Sequence, residues 1–249
     1  MIKSAWVGVK INFGLQHRLK ESQIYFGRAI LIMNIITTFF IIYTAIAFIG
    51  VGYALVRDLP NIFLKNATGT LELKSYLIFW PYFTLNVITL YLFRIFSQEN
   101  RLDEIVPNLY MGGRLLMVDS KYFASLGIKS TLDLTSEFRE IGFIRTGQNY
   151  LCIPILDTRY PTLNQLDEAI SWISTRMLDG PVFVHCALGH GRSATVVAGF
   201  LIKYGIVNNV DGAIEFIKAT RIGVSLHPKQ IKVLQQFAID IQKNNFIKT

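Results

Sequence analysis

Residues 29–56 contain no charged side chain, an uninterrupted run of 28. About 20 apolar residues are enough to cross the hydrocarbon core of a bilayer, so this run predicts a membrane-spanning helix that ends at Arg57. A second uncharged stretch, residues 75–93, is 19 long and lies between Lys74 and Arg94. It contains Pro81 and Asn86, both tolerated in spanning helices because neighbouring groups satisfy the freed backbone. The two stretches together predict a transmembrane hairpin. The first begins too late and runs too long for a cleaved signal peptide.

Charge refines this layout. The chain carries 25 Lys and Arg against 17 acids, a net charge of +8. Residues 1–100 hold nine bases and four acids, so +5 of the +8 flanks the apolar runs. A basic balance there points to anionic lipid. No basic stripe with interleaved aromatics suggests nucleic acid. Five bases precede the first run (Lys3, Lys10, Arg18, Lys20, Arg28) and three lie in the 57–74 loop (Arg57, Lys65, Lys74). The excess predicts a cytoplasmic N-terminus, and two crossings return residues 94–249 to the same side. The expected organisation is a basic segment, 1–28, two spanning helices within 29–93, and a domain over 94–249. Two cysteines, Cys152 and Cys186, are too few for a disulfide framework, so a reducing compartment is expected for the second half.

From Gln98 onward the charges are interspersed and the apolar runs shorten. Strands are predicted at 105–110, 131–134, 150–155 and 182–185, alternating with helices. Thr162-Leu163-Asn164-Gln165 reads as a capping box before a stripe of Leu166, Ile170, Ile173 and Met177. A helix over 193–204 ends at Gly205. Pro228 opens a last helix with Ile231, Leu234, Ala238 and Ile241 on one face. Alternating strands and helices predict a three-layer α/β domain, a central sheet flanked by helices.

One stretch carries the chemistry: Pro181-Val-Phe-Val-His-Cys-Ala-Leu-Gly-His-Gly-Arg-Ser193. An apolar strand delivers Cys186 to its end, a loop with Gly189 and Gly191 follows, and a helix starts near Arg192. A helix N-terminus offers unpaired N–H groups and the positive end of a dipole. Glycines let the backbone curl so that successive N–H groups converge on one anion. Ala187, Leu188, Gly189, His190, Gly191 and Arg192 are therefore the candidate phosphate-binding residues, and Arg192 adds a fork for two oxygens. The same positive field favours the Cys186 thiolate, a nucleophile.

This stretch resembles the dual-specificity branch of the protein tyrosine phosphatase superfamily over about residues 100–240, in a form similar to bacterial membrane-anchored members. The resemblance implies that Cys186 is the nucleophile, Arg192 the phosphate clamp and Asp157, 29 residues upstream in Ile153-Pro154-Ile155-Leu156-Asp157, the general acid. It implies that Ser193 assists departure of the thiolate and that His185 orients the loop. Asn108-Leu109-Tyr110-Met111-Gly112, Thr131–Glu137, Arg221 and His227-Pro228 match the family's framework.

The implied reaction is phosphomonoester hydrolysis through a phosphocysteine, on a phosphorylated protein or a phospholipid phosphate. Membrane lipid is the expected partner. No cofactor and no metal are expected, since no His or carboxylate cluster shows metal-ligand spacing. A catalytically silent phosphate-binding module and a sulfurtransferase are the alternatives. Retention of Cys186, Arg192 and Asp157 weighs against the first, and Asp157 with Ser193 against the second. Cys152 reads as strand packing, with a resolving disulfide to Cys186 as its alternative.

Overall fold

The computed structural model describes residues 2–146 and 149–247. The chain divides into two compact units, Met1–Ile49 and Gly50–Thr249. The described residues of the first unit, 2–49, are helical and belong to α1, Ile2–Arg57. Within α1, Lys20–Arg57 is long and apolar enough to cross a membrane, and so is α2, Leu73–Phe96. The second unit starts well before residue 94, where the sequence pattern suggests a boundary. It takes in the end of α1, the loop 58–72 and all of α2.

The loop explains this extension. Lys65 is drawn into the interior, where its ammonium donates to Asp133 Oδ2 at 2.6 Å, to Thr135 O at 2.7 Å and to Thr135 Oγ1 at 2.9 Å. The Gly69 carbonyl accepts from Glu140 N–H at 2.7 Å. Phe63, in a 3₁₀ turn at Pro60–Phe63, stacks on Tyr82 and meets Phe79 edge-on. Hydropathy marks the helices on either side of such a loop but says nothing of where its buried cation will dock.

The sheet has five strands: β1 Leu102–Val106, β2 Leu109–Gly112, β3 Ser130–Thr135, β4 Asn149–Ile155 and β5 Val182–His185. Their order is β1-β2-β5-β3-β4, antiparallel between β1 and β2 and parallel elsewhere. The single strand predicted over 105–110 is instead a hairpin. Pro107 lacks an N–H for the ladder, and Asn108 turns the chain at φ 67°, a left-handed value that Asn tolerates.

Helices α3 Ser120–Ser125 and α4 Gly142–Arg145 are short; α5 Leu163–Met177, α6 Arg192–Lys203, α7 Val210–Thr220 and α8 Pro228–Ile247 are long. The capping box at Thr162 and Gln165 forms as its spacing predicts, and Leu166, Ile170 and Ile173 are buried. Both faces of the sheet are covered, which explains why β5 is apolar along its length. Val182 and Val184 join the large core with α5 to α8, while Phe183 faces Phe123, Ile128 and Ile144 on the other side. The period of two along a strand thus divides one apolar run between two cores. The predicted three-layer domain is present.

Candidate active site

β5 is the central strand, and its C-terminal end delivers Cys186 to the start of α6. The six peptide groups that follow share one arrangement. Each carbonyl is tied away from the loop's centre. Cys186 O lies 3.3 Å from His185 Nδ1. Ala187 O accepts from Arg114 N–H at 2.9 Å, His190 O from Ser225 N–H at 3.2 Å and Gly191 O from Thr195 N–H at 2.8 Å. The Arg221 guanidinium donates to Leu188 O at 2.9 Å and to Gly189 O at 3.1 Å. A trans peptide points its N–H opposite its carbonyl. Six outward carbonyls therefore mean that the N–H groups of residues 187–192 turn inward, as an anion cradle requires.

Gly189 makes this curl possible. Its φ is +81°, and a Cβ there would overlap the backbone of Gly112. Its N–H meets Cys186 Sγ at 3.3 Å, and Ser193 Oγ lies 3.4 Å from the same sulfur. Burial alone would push the Cys186 thiol up. The Arg192 guanidinium, Ser193 and the Gly189 N–H outweigh that effect and hold it below its usual range.

Arg192 opens α6 and is almost fully buried. Glu137 takes one edge of its fork, with Oε1 2.8 Å from Nη2 and Oε2 3.0 Å from Nη1. Ile155 O accepts from Nη1 at 2.8 Å, and Asp157 Oδ1 from Nη2 at 3.2 Å. Burial would raise the Glu137 carboxyl, but the Arg192 charge beside it holds it below the ordinary range. Glu137 thereby fixes the position of the cation. Sequence pattern marks it only as framework, since its partner lies 55 residues away.

Asp157 follows β4 and is half exposed. With Cys186, Ala187, Leu188, His190, Gly191 and Arg192 it lines a cavity of about 210 Å³. Of the other residues predicted for the site, Gly189 and Ser193 touch the Cys186 sulfur without lining the cavity, and His185 stands behind the loop. His190 is oriented outward, its Nε2 2.6 Å from Glu99 Oε2 and its ring 5.5 Å from that of Phe93. Gln230 also lines the cavity, held by Arg159 O at 2.7 Å and His227 N–H at 2.9 Å.

Behind the loop lies a second charged group that sequence spacing does not reveal. His185 Nε2 lies 2.9 Å from Glu140 Oε2 and 3.9 Å from Asp133 Oδ1. Burial would lower the His185 pKa, but Glu140 and Asp133 raise it overall, favouring the imidazolium. Ligand atoms of Asp133, Glu140 and His185 fall within 4.8 Å of one another. The Lys65 ammonium already sits on Asp133 and supplies the cation that such a group calls for.

Cys152 pairs across β3 with Asp133, which pairs with His185. Two strand spacings put it about 9–10 Å from His185, and Cys186, the next residue along the parallel β5, is no nearer; that is beyond the ~7 Å Cα separation that a disulfide spans, and both cysteines are free. The resolving disulfide considered for Cys152 thus lacks the geometry. Burial, with Asp133 alongside, pushes its thiol up to about 12.

Comparison with known proteins agrees with this chemistry. The family model for the dual specificity phosphatase catalytic domain matches residues 109–240. A phosphatidylglycerophosphate phosphatase of Arabidopsis thaliana, PTPMT2, is 28% identical over 182 residues, covering 70% of this chain and 78% of the relative. Phosphatidylglycerophosphatase and protein-tyrosine phosphatase 1 of Rattus norvegicus is 37% identical over 155 residues, 59% of this chain and 67% of the relative. The crystal structure of PTPMT1 in complex with PI(5)P superposes with a TM-score of 0.54 at 24% identity, over 59% of this chain and 99% of that one.

Proposed function

This chain belongs to the dual specificity phosphatase family and is a cysteine-dependent phosphoric monoester hydrolase, and we propose that its substrate is a phosphomonoester on a membrane phospholipid headgroup. The observation that carries the phosphomonoester chemistry is the cradle itself: inward N–H groups of residues 187–192 around a buried thiol held toward its ionised form.

The phosphate enters the cavity and its equatorial oxygens take the inward N–H groups and the edge of Arg192 that Asp157 holds in this structure. Asp157, now displaced from Arg192, faces the ester oxygen. Cys186 Sγ attacks phosphorus. As the S–P bond forms, the P–O ester bond breaks, and the departing oxygen takes the proton of Asp157. Water then attacks the phosphocysteine and gives a proton to the Asp157 carboxylate. The S–P bond breaks, inorganic phosphate leaves, and Ser193 Oγ, 3.4 Å from the sulfur, donates to the returning thiolate. His185 and Arg221 hold the loop in register rather than touching substrate.

The lipid reading draws on two relatives whose names include phosphatidylglycerophosphate hydrolysis and on the long apolar helices of this chain. A phosphoprotein reading is favoured by the second half of the rat relative's name. The test is phosphate release by the detergent-solubilised full chain, with EDTA present, from phosphatidylglycerol phosphate in mixed micelles, a phosphotyrosine peptide and a phosphoserine peptide. The expected result is turnover fastest on the lipid and absent in Cys186→Ser. Faster release from a peptide would move the substrate to phosphoprotein.

A further inference from the structure

Both ends of α2 touch the same domain. Before it, Lys65 is fixed on Asp133 and Gly69 on Glu140. At its far end Arg94 Nη1 donates to Asp119 Oδ2 at 2.7 Å and Phe93 packs on His190. Between these anchors α2 runs for 24 residues, about 36 Å. A helix that crossed a bilayer would place its ends on opposite sides of about 30 Å of hydrocarbon. Asp133 and Asp119 belong to one folded domain, which stays on one side. The helix therefore lies along the domain.

Its two faces differ. Ser75, Phe79, Phe83 and Leu90 are buried. At 100° per residue the opposite face carries Leu85, Ile88, Leu92 and Ile95, which are 49%, 49%, 49% and 71% exposed. No charge interrupts residues 75–93. Proteins that live in water rarely leave a contiguous apolar face of this kind open. The occupant follows from the neighbouring segment: Lys20–Arg57, apolar and 38 residues long, passes the length and composition test for a span and runs into this same unit at Gly50. A bilayer crossed by that segment would be at hand where α2 begins.

We propose that α2 lies in the plane of the membrane as an interfacial helix, with the Leu85–Ile95 stripe in lipid, and that α1 alone among the described helices crosses. The 57–74 loop and the catalytic domain are then on the same side of the bilayer. Leu90, Phe93 and Arg94 share a cleft with Ala187 and Leu188 of the phosphate loop, so an in-plane α2 sets the cavity at the headgroup level. This last consequence rests on the lipid-substrate reading; the placement of α2 does not.

The test uses the full chain in vesicles of phosphatidylcholine and phosphatidylglycerol. Nitroxide labels are placed singly at Leu85→Cys, Ile88→Cys, Leu92→Cys and Ile95→Cys in a Cys186→Ser background, and depth is read from oxygen against nickel-chelate relaxation. The expected result is one shallow depth at all four positions. A depth that changes by about 1.5 Å per residue, roughly 15 Å from residue 85 to 95, would establish a crossing and overturn the proposal, as would four labels in water. With Cys186 intact, Ile88→Glu/Leu92→Glu is expected to lower release from phosphatidylglycerol phosphate in vesicles about tenfold and to leave a soluble aryl phosphate within about twofold. Equal loss on both would count against a membrane role for the stripe. Uniform shallow labels with no lipid hydrolysis would leave α2 in place and remove only the substrate reading.

Discussion

Two buried ion clusters stand back to back at the ends of β3 and β5, made from the same kinds of groups. One holds Arg192 between Glu137 and Asp157. The other holds Lys65 and His185 among Asp133 and Glu140. The first has one member, Asp157, half exposed, and opens on a cavity; all four members of the second are sealed. The first pairs an arginine whose second edge is closed only by the half-exposed Asp157 on Nη2, and that edge can take two oxygens of an anion that displaces Asp157. The second pairs a lysine whose ammonium is consumed by three acceptors. Charge pairing alone therefore marks neither a site nor a strut. What separates them is whether one edge of the cation is held by an exposed partner that an anion can replace, as Asp157 holds Arg192, or only by sealed ones.

Substitution of the two cations gives the sharpest contrast. Arg192→Lys is expected to lower kcat by on the order of 10³-fold, because a point charge replaces a bidentate clamp. Lys65→Met is expected to keep kcat/KM on a soluble aryl phosphate within a few fold. If Lys65→Met abolished turnover while Arg192→Lys did not, the assignment of the clusters would be reversed.

Stability should run the other way. Lys65→Met leaves Asp133 buried without its cation, a loss of about 3–5 kcal/mol by the usual cost of breaking a buried pair. Calorimetric unfolding should show it, and Lys65→Met/Asp133→Asn should recover most of the loss. No recovery would mean that Lys65 contributes through packing rather than charge.

How far these clusters are legible in the chain depends on the separation of their members. Cys186, Arg192 and Ser193 sit within one strand-loop-helix unit whose apolar residues, glycines and cap are contiguous, so the cradle can be read directly. Asp157 closes an apolar strand, but its role as the acid is read only through the family resemblance, since a strand-capping Asp looks the same. Lys65 and Asp133 are 68 residues apart and Arg192 and Glu137 are 55 apart; no local pattern joins a cation to a partner at that distance. The same limit hides the docking of the 57–74 loop, since an uncharged run looks alike whether it pierces a bilayer or lies upon one. The β1–β2 hairpin escapes the sequence pattern for a local reason. Apolar residues on both sides of Pro107-Asn108 look continuous, and only the turn chemistry divides them.

Asp157 offers a finer contrast. Asp157→Asn is expected to slow release from an alkyl phosphate about 10²-fold and from an aryl phosphate with a good leaving group far less. An equal effect on both would remove it as the proton donor.

The two cysteines give the smallest effect, a shift along the pH axis. Cys186 is held below the ordinary thiol range, near 8.5, so its alkylation should persist to lower pH than that of an ordinary thiol and fade as pH falls through its lowered value. Cys152, pushed up to about 12, should stay inert across the same range. Peptide mapping after iodoacetamide at stepped pH reads both; modification of Cys152 first would mean that Arg192 and the loop N–H groups do not activate Cys186.

The most direct measurement is a trapped intermediate. The full chain is mixed with ³²P-labelled phosphatidylglycerol phosphate in mixed micelles, quenched in milliseconds and mapped. The expected result is label on the peptide that carries Cys186, absent in Cys186→Ser. Label on another residue, or steady phosphate release that persists in Cys186→Ser, would contradict a phosphocysteine route through this loop.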